Sequence, residues 1–342
     1  MEQKRLSPGK LLNVYGNLNE AGYALSLVKE YNRNDIKAPK MRIKEWDYYY
    51  IGNEHYGVAL TIDDNSYMGL GSVSVLDFDN DFWNTKSKIN WFTNGKTHMP
   101  STSKVGDCHF KAKGIEISFF NDGNKRRLLC KMKNFYKQYD FSCDITLTDE
   151  PADSMVIATP FDKKRHFYYN QKINCMRASG RAIVGGKTYL FEKEKSFAVL
   201  DWGRGVWTYK NTWYWSSLSS SVNGKKIGFN LGYGFGDTRN ATENMLFYDG
   251  KAYKIEQVTF HIPQDEEGKD SFMEEWTMTS SDDKVNLTFK PIFDRHDDTN
   301  ALIIKSLQHQ VFGKFSGTLE IDGQKIEIKN LVGFAEKVRN NW

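Results

Sequence analysis

From Lys44 onward the chain alternates short apolar or aromatic runs with polar turn residues, the two-residue period of strands that turn one face to a core. WDYYYIGNEHYGVALTID (46 to 63), GIEISFFNDGNKRRLLCKM (114 to 132) and TLEIDGQKIEIKNL (318 to 331) each hold two strand-like runs parted by Asn, Asp or Gly. Asn121-Asp122-Gly123-Asn124 and Asp322-Gly323 are hairpin turns by composition. Only Glu20 to Tyr31 approaches a helical face, with Ala21, Ala24, Leu25 and Val28, and it reads either as a short helix or as an irregular strand over a barrel end. The pattern predicts an all-β chain with little helix, built as a meander, sandwich or barrel.

The strand pattern repeats. Ser179-Gly180-Arg181-Ala182-Ile183-Val184-Gly185-Gly186 matches Ser316-Gly317-Thr318-Leu319-Glu320-Ile321-Asp322-Gly323, and at the same offset Phe197-Ala198 falls on Phe334-Ala335. More weakly, Trp46 precedes the hairpin GVALTI (57 to 62) as Trp213 precedes IGFNLG (227 to 232). Each half therefore opens with a Trp-bearing hairpin and closes with a Ser-Gly hairpin and a last strand. Duplication explains this better than the general likeness of amphipathic hairpins.

Composition narrows the function classes. Lys and Arg number 47 against 43 Asp and Glu, a formal charge of +4 without basic blocks, which argues against nucleic acid as a partner. The nearest basic clusters, Lys37, Lys40, Arg42 and Lys44, then Lys125, Arg126 and Arg127, read as solvated strand or turn residues. Cys108, Cys130, Cys143 and Cys175 are too widely spaced for a zinc site, and His296 in FDRHDD (293 to 298) reads as an exposed loop residue, so neither metal nor cofactor is expected. No run approaches the roughly 18 apolar residues of a membrane span. A cytoplasmic setting with free thiols is the expectation. The aromatic count of 18 Tyr, 22 Phe and 9 Trp fits a β fold or a ligand cavity.

Candidate chemistry gathers around LDWGRGVW (200 to 207). On a strand, Phe197, Val199 and Asp201 share one face, so Asp201 is a carboxylate ending an apolar row, and a buried charge needs a partner. Arg204, between Gly203 and Gly205, is the expected one if the glycines let the chain turn back. The pair is then either a tuned acid and ligand anchor or, the favoured reading, a structural ion pair. Glu45 and Asp47 share a strand face, and if confined together would raise one another's proton affinity. Glu243 aligns with Met245 and Phe247 and is the better acid candidate. Trp46, Trp202, Trp207, Trp213, Trp215, Tyr233 and Phe235 would supply a ligand-stacking wall, though each alone is more commonly core. Alternating Gly228, Gly232, Gly234 and Gly236 indicate close backbone approach, not a phosphate loop.

The ordered motifs KEWDYYYI (44 to 51), ATPF (158 to 161), ASGRAIVGGK (178 to 187), LDWGRGVW with WYW (213 to 215), ENMLF (243 to 247) and QVFGKFSG (310 to 317) resemble the bacterial family designated domain of unknown function 2804. That family is in turn distantly similar to the hydroxyneurosporene synthase and carotenoid hydratase group. The resemblance implies two lipocalin-like antiparallel barrels or half-barrels in tandem, residues 1–200 with an N-terminal extension and residues 201–342. Fold alone does not assign function. Two expectations follow. One is a hydratase, isomerase or cyclase using Glu243 or Asp201 as an acid on a mostly apolar substrate. The other is a binding protein for a lipophilic or sugar-like small molecule.

Overall fold

The computed structural model describes residues 2–301 and 304–341. Strands make up 63% of the chain, and no α-helix forms among the described residues, as the alternating pattern requires. Glu20 to Tyr31 takes the extended alternative: Gly22–Ala24 adds to the first sheet through Met155–Pro160, and Lys29–Glu30 pairs with Gly9–Lys10. No helix of the described residues is long and apolar enough to cross a membrane.

Two sheets follow the same strand order. The first runs from the edge strand Phe82–Trp91 through Met68–Asp77, Tyr56–Asp64, Lys44–Gly52, Phe197–Val206, Phe167–Val184, Tyr139–Thr148, Arg126–Tyr136 and Ile115–Asn121 to Cys108–Ala112. The second runs from Lys251–Lys254 through Met245–Tyr248, Lys225–Tyr233, Lys210–Val222, Gln324–Asn341, Ile304–Ile321, Val285–Ala301 and Trp276–Ser280 to Val258–His261. In each, the Trp-bearing first long strand pairs with the last strand of its half. The Ser-Gly hairpins agree in detail as well. Gly180 and Gly317 have φ of 132° and 133°, and a Cβ on either would lie 2.2 Å from a carbonyl oxygen of the neighbouring strand, that of Asp144 or Asn286. Only glycine fits both.

The first sheet curls into a nearly closed barrel, the second into a half-barrel. Side chains reach across the first barrel's seam, where Asn84 Nδ2 donates to the Phe135 carbonyl (3.1 Å) and Asn90 Nδ2 to that of Lys111 (3.0 Å). The first sheet continues to Val206 and the second begins at Lys210, a few residues past the division expected at 200. The reason is that Gly203-Arg204-Gly205 is not a turn. All ten residues of Phe197–Val206 form one strand, buried on both faces.

Two of the clusters expected to be solvated are in part internal. Lys44 is fully buried, its ammonium over the rings of Tyr67 and Trp207, while Arg126 is buried against Glu150, Tyr49 and the Ser103 carbonyl. FDRHDD lies within the strand Val285–Ala301, though His296 is exposed as expected.

Each sheet has its own apolar core, and two further clusters lie between the sheets. One joins Tyr50, Val199 and Phe78 to Phe293, Phe312 and Phe334; the other joins Met155, Ile157 and Tyr168 to Phe235, Met245 and Phe247. A bulge at Asn174-Cys175 drives the long strand Phe167–Val184 into the second sheet. There the buried Asn174 amide lies within hydrogen-bonding reach of Ser217 Oγ (2.8 Å), the Phe229 carbonyl (3.1 Å) and the Leu218 carbonyl (3.2 Å), and Cys175 holds φ of 62°. Replacing Asn174 by Ala strands those acceptors away from water. The expected outcome is a urea unfolding midpoint lowered by the equivalent of about 1–3 kcal/mol; an unchanged midpoint would show that the seam does not depend on this side chain.

Candidate functional site

The same two-residue period that orders the strand Phe197–Val206 divides its side chains between two compartments. Trp202 and Arg204 point into the first barrel; Asp201 points out, toward the second sheet. Asp201 and Arg204 therefore do not pair, because three positions apart on a continuous strand they lie on opposite faces. Gly203 and Gly205 serve packing instead. A Cβ on Gly203 would meet the Trp46 ring at 2.1 Å, so the missing side chain lets that indole lie against the strand.

Inside the barrel, Arg204 donates to the carbonyls of Trp46 (2.7 Å) and Pro100 (2.9 Å) and pairs with Asp47 at 2.9 Å. Its guanidinium sits 4.3 Å over the Trp202 ring. Glu45 accepts from Tyr31 Oη (2.8 Å) and pairs with Arg33. Burial pushes the Asp47 carboxyl up, against the opposing pull of Arg204. Glu45 and Asp47 are thus confined together inside the barrel, held by Arg33 and Arg204, and neither faces the space between the sheets. Tyr233 stacks on Tyr214 at 4.4 Å and belongs with the second core.

Between the sheets lies a cavity of about 610 Å³. Trp46, Tyr168, Trp207, Trp213, Trp215 and Phe235 line one end of it. Phe235 meets Tyr168 (4.8 Å), Trp213 (5.2 Å) and Trp207 (5.5 Å) edge to face, and Trp46 stacks on Tyr168. Of the seven aromatic residues predicted, five therefore line the cavity, while Trp202 and Tyr233 do not.

Three carboxyl groups converge there around Lys172. Asp201 pairs with Lys172 Nζ at 3.0 Å and accepts from Asn170 Nδ2 at 2.5 Å. That ammonium lies 3.8 Å from the Trp215 ring centroid. Glu336 accepts from Trp213 Nε1 (2.8 Å) and Gln310 Nε2 (3.0 Å), and burial raises its pKa. Glu243 differs from both. Asn230 Nδ2 holds its backbone carbonyl at 2.7 Å, and Gly232 leaves room for its carboxyl, which a Cβ there would crowd at 3.0 Å. The side chain is 6% exposed, yet among the described residues no hydrogen bond reaches its carboxyl oxygens. Burial pushes its pKa up to about 7, with the Asp201 and Glu336 charges acting in the same direction and Lys172 and Lys254 against. A second acid, Asp63, lines the cavity beyond Trp46 and is likewise pushed up to about 7 by burial.

The family described as Domain of unknown function (DUF2804) matches residues 2–342. This chain belongs to the DUF2804 family. No curated protein sequence matches this DUF2804 chain. Among solved structures, a Nitrosomonas europaea protein assigned as AttH is similar over 90% of this chain and 96% of its own, with a TM-score of 0.56 at 11% identity. Kievitone hydratase from Nectria haematococca aligns over 100% of this chain and 98% of its own (TM-score 0.45, 11% identity), and CghA over 97% of each (TM-score 0.42, 8% identity). These likenesses concern the fold. The DUF2804 site itself is built from its own residues.

Sequence reasoning missed Lys172, Glu336, Arg295 and Gln310. Glu336 was within reach: Phe334, Glu336 and Val338 repeat the signature of Asp201, an acid on an apolar strand face. Lys172 was not, because its role depends on the register that sets it opposite Asp201.

Two outcomes are expected. Since the Glu243 pKa rises from its ordinary 4.5 to about 7 in the folded protein, the native state holds a proton that the unfolded chain has released between those values. Its contribution to stability therefore falls as pH rises through that window, with a slope approaching about 1.4 kcal/mol per pH unit. Subtracting the Glu243→Gln unfolding profile from the wild-type profile should reveal that slope; parallel profiles would refute a buried, raised acid. Asp201→Asn leaves Lys172 buried without its counter-charge and should cost about 3–5 kcal/mol in chemical denaturation, while lowering the Glu243 pKa measured by carboxyl infrared titration.

Proposed function

We propose that the cavity is an acid–base site, with Glu243 as proton donor in a hydration, dehydration or isomerisation reaction of a small molecule whose reacting part is apolar. The observation that carries this reading is the Glu243 carboxyl, buried at the aromatic end with no hydrogen-bond donor among the described residues, where burial pushes its pKa up to about 7. A general acid works best when its pKa lies near the operating pH. Transfer of the Glu243 proton to a carbon–carbon double bond leaves a carbocation and a carboxylate. Capture of the cation by water gives an alcohol and returns one proton to Glu243. Loss of a proton from a neighbouring carbon to the same carboxylate gives an isomer, and the hydration sequence reversed is a dehydration.

The surroundings suit such a cation. Electron-rich indoles line this end of the cavity, Trp213 among them, and the carboxyl groups of Asp201 and Glu336 are held in place before the reaction begins. A binding role without turnover is the second reading. It is favoured by the donors that already hold Asp201 and Glu336, which would then only orient a ligand.

The test is incubation of purified protein with small-molecule extracts followed by mass spectrometry. Wild type should convert at least one component by gain or loss of one water or to an isomer; Glu243→Gln should slow that conversion by a factor of about 10²–10⁴, and Glu243→Asp should recover part of it. Equal conversion by Glu243→Gln would dismiss the acid, and retention of a component unchanged by both proteins would establish the binding reading.

A further inference from the structure

Strand register lays out the floor of the cavity in rows. Lys172 pairs with Asp201, Asp201 with Tyr48, Tyr48 with Thr61, Thr61 with Ser72 and Ser72 with Ser87. Six side chains on six adjacent strands thus form one polar row on the face that meets the second sheet, and all six line the cavity. The row beside it, Val199, Tyr50 and Ala59, is apolar and packs on Phe312 and Phe334. Packed sheets ordinarily bury apolar faces, so the polar row is a local departure confined to the cavity.

The facing wall departs in the same way. Arg295 pairs with Gln310 and Gln310 with Glu336, while Asp297 pairs with Gln308, and these line the opposite side. Two polar walls facing each other are unfavourable unless something between them forms hydrogen bonds. Gln310 is 1% exposed, and its Oε1 finds no partner among the described residues; neither does Arg295 Nε. Arg295 Nη1 does reach Ser74 Oγ across the gap at 2.7 Å, which fixes the spacing of the walls. At the outer end Trp83, set edge-on to His296 at 6.1 Å, adds an aromatic surface.

Charge selects among polar ligands. Lys172 and Arg295 are opposed by Asp201, Glu336 and Asp297, so the cavity offers no net attraction to an anion. Hydroxyl, amide and carboxyl groups alternating around a gap fit a neutral molecule with many hydroxyls, each of which both donates and accepts. We propose that the substrate is an amphiphile: a flat apolar body seated among Trp46, Trp213 and Phe235 beside Glu243, carrying a hydroxyl-rich arm of glycoside type along Tyr48, Thr61 and Ser72 on one wall and Gln308 and Gln310 on the other. This rests on the acid–base reading for its orientation, with the reacting carbon at the aromatic end.

The experiment is isothermal titration of the full chain with 2-naphthyl β-glucoside, β-galactoside and β-mannoside, with 2-naphthol, and with the free sugars. At least one glycoside should bind tenfold or more tightly than both 2-naphthol and its sugar. Thr61→Val with Ser72→Ala, and separately Gln308→Leu, should remove most of that advantage while leaving 2-naphthol binding within twofold of wild type; retained 2-naphthol binding also shows that the variants fold. The inference is overturned if 2-naphthol matches every glycoside, if no probe binds, or if the variants weaken glycoside and naphthol alike. Failure here is separable from failure of the acid. The arm is read from wild-type affinity for the glycosides against 2-naphthol, so a missing glycoside preference speaks against the arm alone, and unaltered turnover in Glu243→Gln speaks against the acid alone.

Discussion

The strand Phe197–Val206 is buried on both faces, and the rest of the structure is arranged around what its two-residue period puts on each. One face sends Trp202 and Arg204 into the first barrel, where Arg204 is anchored to Asp47 and to backbone carbonyls. The other sends Asp201 toward the second sheet, where Lys172 holds it. A single residue of register slip would exchange the compartments, putting an arginine in the cleft and a carboxylate among Tyr31, Tyr169 and the barrel core. Gly203 guards against that slip. Only at a position without a side chain can the Trp46 ring lie against the strand, so the indole fixes which face is which.

Given that arrangement, the electrostatics of the cleft follow. Lys172 can compensate one carboxylate fully, and Asp201 is in contact with it. Glu336 is satisfied by neutral donors, Trp213 and Gln310. Glu243 has neither, and the least costly state for a buried carboxyl without a partner is the protonated one. Its raised pKa is thus a consequence of how two neighbouring acids have already used the available donors. Stability and reactivity oppose each other at this position, since the proton that makes Glu243 an acid is held because ionising it in place is unfavourable.

Much of this was legible in the sequence wherever local rules decide. Alternation gave the strands, and Asp322-Gly323 and Asn121 to Asn124 gave two hairpins at the observed places. The Ser-Gly repeat marked a true structural duplication because both glycines meet the same carbonyl obstruction. Glu243 was picked out by its spacing from Met245 and Phe247, although it precedes their strand Met245–Tyr248, and those two residues lie at the seam between sheets. The Arg204 assignment failed because glycine flanks were read as turn residues, whereas here glycine makes room for an indole and for the Phe167 carbonyl from elsewhere in the chain. Lys44 and Arg126 failed similarly. Both look solvated in a window of neighbours, and only tertiary packing supplies Trp207 for one and Glu150 for the other.

Duplication also explains why a cleft exists at this junction. In each half the last strand pairs with the Trp-bearing first long strand, and in each that pairing sets an acid beside an aromatic ring, Asp201 beside Tyr48 in one and Glu336 beside Trp215 in the other. Two copies placed with these outer faces together bring acid toward acid, and like charges cannot be packed dry against each other without a cation or a proton. The faces close at the apolar clusters of Tyr50, Phe312 and Phe334 on one side and Tyr168, Phe235 and Met245 on the other, and at the Asn174 contact with the second sheet. Between those clusters the walls stay apart. The two features that break the symmetry, Lys172 from the first half and Glu243 from a segment of the second, then act on one end of the gap only. An internally repeated fold acquires in this way a directional site, with a proton donor among aromatic rings at one end and hydroxyl, amide and ion-paired hydrogen-bonding groups toward the other.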